Sequence, residues 1–329
     1  MKTRELGRTG QKVSEIGLGT WQLGPDWGGV DDKAAQDILM AAVDQGMIFL
    51  DTADVYGQGS SETRIGNFLQ SSSRRQKVFI ATKMGRFPRP GWPKNFSLYS
   101  FRTFIENSLQ RLGIETIDLM QIHCIPFDFL KKNELWEWIS ILKKEGKVKY
   151  FGISVENVEE ALYCLEKEEI VSLQIIFNIF RQKPIRTLFD QAKEKKMALI
   201  VRLPLASGLL SGKLTAQRKF SESDHRHYNR DGRAFNVGET FAGLPFEQGV
   251  KLAEELKQSV PDGMTMTQMA MRFILDFDCV TTVIPGATSI HQVKENASAS
   301  DLSPLSSELH SQLGKFYEEK VAAHIRGAQ

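Results

Sequence analysis

Met47-Ile48-Phe49-Leu50-Asp51-Thr52-Ala53-Asp54-Val55-Tyr56-Gly57 is the stretch that decides the fold. It begins apolar on consecutive residues and then turns polar at once. A strand with one wet face alternates apolar and polar residues, so consecutive apolar residues point to burial on both faces, as in a parallel sheet covered by helices. Runs of this kind recur at 14–20, 47–52, 77–82, 117–122, 148–153, 171–176, 197–201 and 280–284.

Helical stripes separate the runs. Leu135, Trp138, Ile139 and Leu142 follow helical spacing and stop at Gly146, and Phe101, Ile105, Leu109 and Leu112 stop at Gly113. Ile38, Leu39, Ala42 and Val43 stop at Gly46, and Val158, Ala161, Leu162 and Leu165 supply another stripe. Eight strand–helix alternations predict one α/β domain over residues 1–329, a (β/α)8 TIM barrel rather than an open doubly wound sheet. Gly7-Arg8-Thr9-Gly10 predicts an N-terminal β-hairpin plugging the barrel, and Leu305, Leu309, Leu313 and Phe316 predict a C-terminal helix. Residues 212–246 are polar and interrupt the alternation, so they read as a surface excursion or a substrate lid.

The 329 residues hold 42 basic and 40 acidic side chains, a net charge of +2. That balance points to neither a nucleic-acid nor a membrane partner. The N-terminus is polar, no run approaches a membrane span, and the three cysteines have no disulfide or zinc spacing. A cytoplasmic protein without a metal, monomeric or a small oligomer, is expected. His225-Arg226-His227 reads as a solvated loop.

Chemistry in such a barrel belongs at the C-terminal ends of the strands. The polar residues that end the runs are Asp51, Lys83, His123, Ser154 and Gln174, with Tyr56 just beyond Asp51. A lysine buried there needs a counter-ion, which Asp51 supplies. The ammonium in turn is expected to draw the Tyr56 phenol down from about 10 and make it a proton donor. A Schiff-base lysine would want the opposite electrostatics. His123 would orient a carbonyl oxygen. Trp21, Phe87, Trp92 and Phe127 either form an apolar carbonyl pocket or pack the loops, and Cys124 is a candidate for the mouth.

Gly17-Leu18-Gly19-Thr20-Trp21, Asp51-Thr52-Ala53-Asp54-Val55-Tyr56-Gly57, Ala81-Thr82-Lys83 and Asp118-Leu119-Met120-Gln121-Ile122-His123 stand in this order. Gly146-Lys147-Val148, Gly152-Ile153-Ser154, 205–213 and Ile284-Pro285-Gly286-Ala287 follow. Over nearly its full length the chain resembles the aldo-keto reductases, most closely their bacterial general-stress-type branch. The resemblance implies a catalytic tetrad of Asp51, Tyr56, Lys83 and His123 and an NADP(H)-dependent reduction of aldehydes or ketones, with NAD(H) possible. A non-catalytic nucleotide-binding regulatory subunit of the same fold is the alternative.

No Gly-x-Gly-x-x-Gly follows a strand, so phosphate would sit in the loops after the seventh and eighth runs. Ser207, Gly208 and Lys213 stand in the first loop, and Gly286, Thr288 and Ser289 in the second, where Ser289 also reads as a helix N-cap. The resemblance adds Ser154 and Gln174 on the nicotinamide amide, Gln292 and Asn296 near the adenine, and Asp51 on the ribose. It also implies cofactor contacts from Gly19, Thr20, Trp21, Leu205 and Leu210. Three positions depart from the family pattern: Val155 replaces an amide, Arg202 an aromatic that stacks on nicotinamide, and Thr288 a basic residue at the 2′-phosphate.

Overall fold

The computed structural model describes residues 1–24, 29–72 and 74–329. Two short strands, β1 (Thr3–Glu5) and β2 (Lys12–Ser14), pair antiparallel with Arg4 opposite Val13. Eight more follow: β3 (Leu18–Gly19), β4 (Phe49–Asp51), β5 (Phe79–Met84), β6 (Ile117–His123), β7 (Val148–Ser154), β8 (Ser172–Ile176), β9 (Ala198–Arg202) and β10 (Val280–Val283). They form one parallel sheet in chain order. Its two edges meet, because the Gly17 and Gly19 amides donate to Val283 and Pro285 while the Val283 amide donates to Glu15. The result is an α/β barrel of the TIM type, with strand positions close to those read from the sequence.

Strand periodicity explains why the runs are apolar on consecutive residues and then turn polar. Leu50 and Ile80 belong to the large apolar core between sheet and helices. Their neighbours Phe49, Phe79, Ala81 and Leu119 form a separate cluster with Leu6, Val13, Val171, Ala198 and Ile200. That second cluster is the barrel interior, where Phe49 and Phe79 stack at 5.4 Å. Two residues on from Phe49, Ala81, Leu119 and Ile200 come Asp51, Lys83, Gln121 and Arg202, so the same inward rows end in polar groups.

The helix stops at Gly46, Gly113 and Gly146 all have positive φ, as expected of residues following a helix end. Residues 212–246, read as a surface excursion or a lid, are mostly exposed as far as residue 223 and turn polar residues inward beyond it. They contain a short helix, His225–Tyr228, and the turns Val237–Glu239 and Phe241–Gly243, with Asp224, His225, Asn229 and Thr240 buried. Asn229 organises the segment: its oxygen accepts from the Ala234 and Phe235 amides and its nitrogen donates to Thr240. No helix among the described residues is long and apolar enough to cross a membrane.

Helix Ser60–Ser72, directly after Tyr56, leans on helix Leu98–Leu112 through Gly66. Glu62 locks the pair to the barrel, accepting from Arg111 at 2.6 Å and from Thr82, beside Lys83, at 2.5 Å. A Cβ at position 66 would lie 2.3 Å from the Arg111 carbonyl oxygen, and backbone cannot step aside cheaply. Gly66→Ala is therefore expected to destabilise by about 1–3 kcal/mol through overpacking, measured as a shift in the urea midpoint at constant m-value. An unchanged midpoint would refute the close helix contact.

Candidate active site

Lys83 rises from β5 and is almost fully buried. Its ammonium donates to Asp51 Oδ1 at 2.5 Å, to the Thr52 carbonyl at 2.8 Å and to the Tyr56 hydroxyl at 3.1 Å. Those acceptors use its three protons. Asp51 Oδ2 receives Gln121 Nε2 at 3.0 Å and Gln174 Nε2 at 2.8 Å, so the carboxylate accepts from β5, β6 and β8. Tyr56 stacks on Trp21 at 5.8 Å and meets the His123 ring edge-on at 6.0 Å.

The charge states follow from burial first. Burial raises the Tyr56 phenol above its ordinary value, and the Lys83 ammonium pulls it down without winning. This corrects the expectation of an acidified phenol: in this structure Tyr56 holds its proton firmly. Burial works against the Lys83 ammonium, but Asp51 and Tyr56 together raise its pKa. His123 is driven well below its usual range by burial and then by Arg86, Lys83 and Arg202, which makes it a neutral imidazole.

These groups face a cavity of about 750 Å³ at the C-terminal ends of the strands. Asp51, Tyr56 and His123 line its floor, with Lys83 underneath. Gly19, Thr20, Trp21 and Gln174 line it from the first half of the barrel and from β8. Arg202, Leu205, Ser207, Gly208 and Lys213 line it from β9 onward, Gly286 and Thr288 from the loop after β10, and Gln292 and Asn296 from helix Ile290–Ser298. Three residues expected at the cofactor do not line the cavity. Leu210 is buried in the apolar core, and Ser289 caps helix Ile290–Ser298 by accepting from the Gln292 amide. Ser154 is buried with its hydroxyl 3.4 Å from Cys124 Sγ.

The donor set fits a nicotinamide dinucleotide. Gln174 Oε1 is buried with no hydrogen-bond partner, an acceptor suited to a carboxamide N–H. Gly286 lies under the Gln22 side chain, where a Cβ would come within 1.9 Å of Oε1, so this close approach to the backbone needs a glycine. Lys213, after β9, reaches Glu295 on helix Ile290–Ser298 at 3.5 Å and brings a cation to the groove between the two loops.

Several residues escaped the sequence reading. Arg86, just beyond β5, and Glu239, from 212–246, both line the cavity. Glu239 Oε1 takes Arg86 Nη1 at 3.2 Å and Arg202 Nη1 at 3.7 Å, and Glu156 lies 3.6 Å from Arg86. The departures at the ends of β7 and β9 also meet, since Arg202 Nη2 donates to the Val155 carbonyl at 3.1 Å. Arg86 carried a signal in sequence, three residues after Lys83; Glu239 carried none. Cys124, Glu156 and Glu239 bring potential ligand atoms within 4.8 Å of one another, yet both carboxylates already serve guanidiniums.

One of the four aromatic candidates reaches the cavity. Trp21 lines the cavity, but Phe87 packs on Phe104, Phe127 packs on Tyr163, and Trp92 is 61% exposed. Phe235, from the long segment, takes the expected place, 6.0 Å from Trp21. His225 is fully buried with its ring 4.4 Å from Trp21, so the His-Arg-His stretch is no solvated loop.

Known proteins fall in line with this geometry. The Aldo/keto reductase family profile matches residues 15–318. The NADH-specific methylglyoxal reductase of Escherichia coli is 30% identical over 91% of this chain and 93% of its own. An aldo-keto reductase of Schizosaccharomyces pombe, yakc [NADP(+)], is 26% identical over 90% of this chain and 86% of its own. The holo form of aldo-keto reductase AKR11C1 from Bacillus halodurans superposes with a TM-score of 0.77 at 31% identity, covering 96% of each chain. With its barrel, its strand-end constellation and a match across most of its length, this chain belongs to the aldo/keto reductase family.

Proposed function

We propose that the protein reduces aldehydes and ketones to alcohols with NADPH, and that Tyr56 supplies the proton. The observation that carries this is the placement of one ammonium, Lys83, against both Asp51 and the Tyr56 hydroxyl at the floor of the cavity. Bound nicotinamide would supply hydride. Gln174 would hold its carboxamide, and Gly208, Lys213 and Gly286 would line the phosphates.

The remaining work belongs to the chain's own side chains. His123, neutral at working pH, donates a hydrogen bond to the carbonyl oxygen and orients it. As negative charge develops on that oxygen, the Tyr56 phenol transfers its proton, and Lys83 stabilises the phenolate left behind. A raised phenol suits this direction, because an acid that is fully protonated before each turnover is always ready to give. Asp51 keeps Lys83 charged and in place, with Gln121 and Gln174 holding the carboxylate's second oxygen.

Preference for the 2′-phosphorylated cofactor rests on the cations Lys213 and Arg218 lining the groove, together with the hydroxyl of Thr288. The two relatives above are named for opposite preferences, so neither decides it. The three cysteines, none joined to another, suit a reducing compartment such as the cytoplasm.

Tyr56→Phe is expected to lower kcat for an aromatic aldehyde by roughly a hundredfold to ten-thousandfold while leaving the NADPH dissociation constant nearly unchanged. Turnover near that of the unaltered enzyme would remove Tyr56 as the donor. Carbonyl reduction needs the protonated phenol, so its rate is expected to stay level through neutral pH and to fall only above the ordinary tyrosine value of 10. A falling limb centred below pH 8 or so would mean the phenol is acidified in the complex. Titrating tryptophan fluorescence should show tighter binding of NADPH than of NADH, and equal affinities would refute the cofactor assignment.

A further inference from the structure

Phe241, Ala242 and Gly243 are consecutive and all left-handed, with φ of 53°, 57° and 85°. Two neighbouring non-glycine residues hold that conformation only where their surroundings over-determine it. Here the surroundings are two guanidiniums. From inside, buried Arg181 donates to the Ala242 carbonyl at 3.5 Å and to Ala328 at 2.9 Å, with no carboxylate partner among the described residues. From outside, Arg326 donates through Nε to the Gly243 carbonyl at 3.0 Å and through Nη2 to Arg230 and Leu244 at 3.1 and 3.3 Å. Its Nη1 reaches Asp231 at 2.8 Å, and its own amide donates again to Gly243 at 3.1 Å.

The strained bend has a chemical consequence. The Phe241 amide donates to Ser207 Oγ at 3.1 Å, and that hydroxyl donates to the Glu239 carbonyl at 3.4 Å. The turn thus directs the Glu239 side chain inward, where it meets both Arg86 and Arg202 beside His123. The bend, its clamp and the two guanidiniums form one chain of contacts from residue 326 to the cavity wall.

We infer that Arg326 is a positioning residue for carbonyl reduction: by its grip on residues 230–244 it sets Glu239, and through Glu239 the guanidiniums of Arg86 and Arg202 that border the substrate. This rests on the reductase reading above. The planar fork is the working part, since a single ammonium cannot serve several carbonyls spread along one plane.

Arg326→Gln and Arg326→Lys, made in the full chain and assayed with cofactor, test the inference. Both are expected to raise KM for 4-nitrobenzaldehyde about tenfold with kcat changed less than about threefold, because the tetrad is untouched while the substrate wall shifts. Amide hydrogen exchange should quicken across 230–244 in both variants and stay unchanged in β4, β5 and β6. In a Glu239→Gln background the Arg326 substitutions should add little to KM, because the two act on one path. Unchanged KM and exchange in either variant, full rescue by Arg326→Lys, or effects that simply multiply with Glu239→Gln would each overturn the inference. An unaltered enzyme that reduces no carbonyl would instead sink the reductase reading, and the exchange rates would still decide whether Arg326 grips the segment.

Discussion

A single ammonium inside the barrel is the constraint on which the rest depends. Lys83 is 1% exposed, and a buried cation survives only if its protons are all received. Asp51, the Thr52 carbonyl and Tyr56 receive them. Removing one member of such a buried pair strands the other at a cost of about 3–5 kcal/mol, so β4 and β5 are tied to this arrangement. Gln121 and Gln174 extend the demand to β6 and β8. Stability and chemistry are thus written into the same few residues.

That coupling explains how much could be read beforehand. A strand buried on both faces announces itself by consecutive apolar residues, and the point where its inward row turns polar is visible without coordinates. Asp51, Lys83, His123 and Gln174 were legible for that reason. Tyr56 was legible through its nearness to Asp51, but not its acidity: the charge of Lys83 is obvious in sequence, whereas the larger effect of burial is not. Dehydration has no residue code.

The cover of the cavity was the opposite case. Residues 212–246 have no hydrophobic period because their order comes from polar residues turned inward, such as Asn229 serving two amides and a hydroxyl. Glu239 looks like any loop acid until the fold brings Arg86 and Arg202 to it. His225 looks like part of a charged run, yet it is fully enclosed beside Trp21. Guanidinium recognition of main-chain carbonyls is equally silent, because the acceptors carry no side-chain identity. Which aromatics reach the cavity is silent for a related reason: Phe87 and Trp92 stand in a suitable segment, but Phe87 packs on Phe104 and Trp92 is exposed.

Closure of the cylinder carries a last consequence. Its seam is a handful of amide bonds between Glu15, Gly17 and Gly19 on one side and Val283 and Pro285 on the other, segments from opposite ends of the polypeptide. During synthesis the seam cannot form until the later segment has left the ribosome. Until then the early staves lack their final neighbour, and an open edge of parallel sheet is a site for wrong pairing. A nascent chain of this kind has its chemical groups encoded long before it has a vessel to hold them, and its most vulnerable moment is the interval between the two.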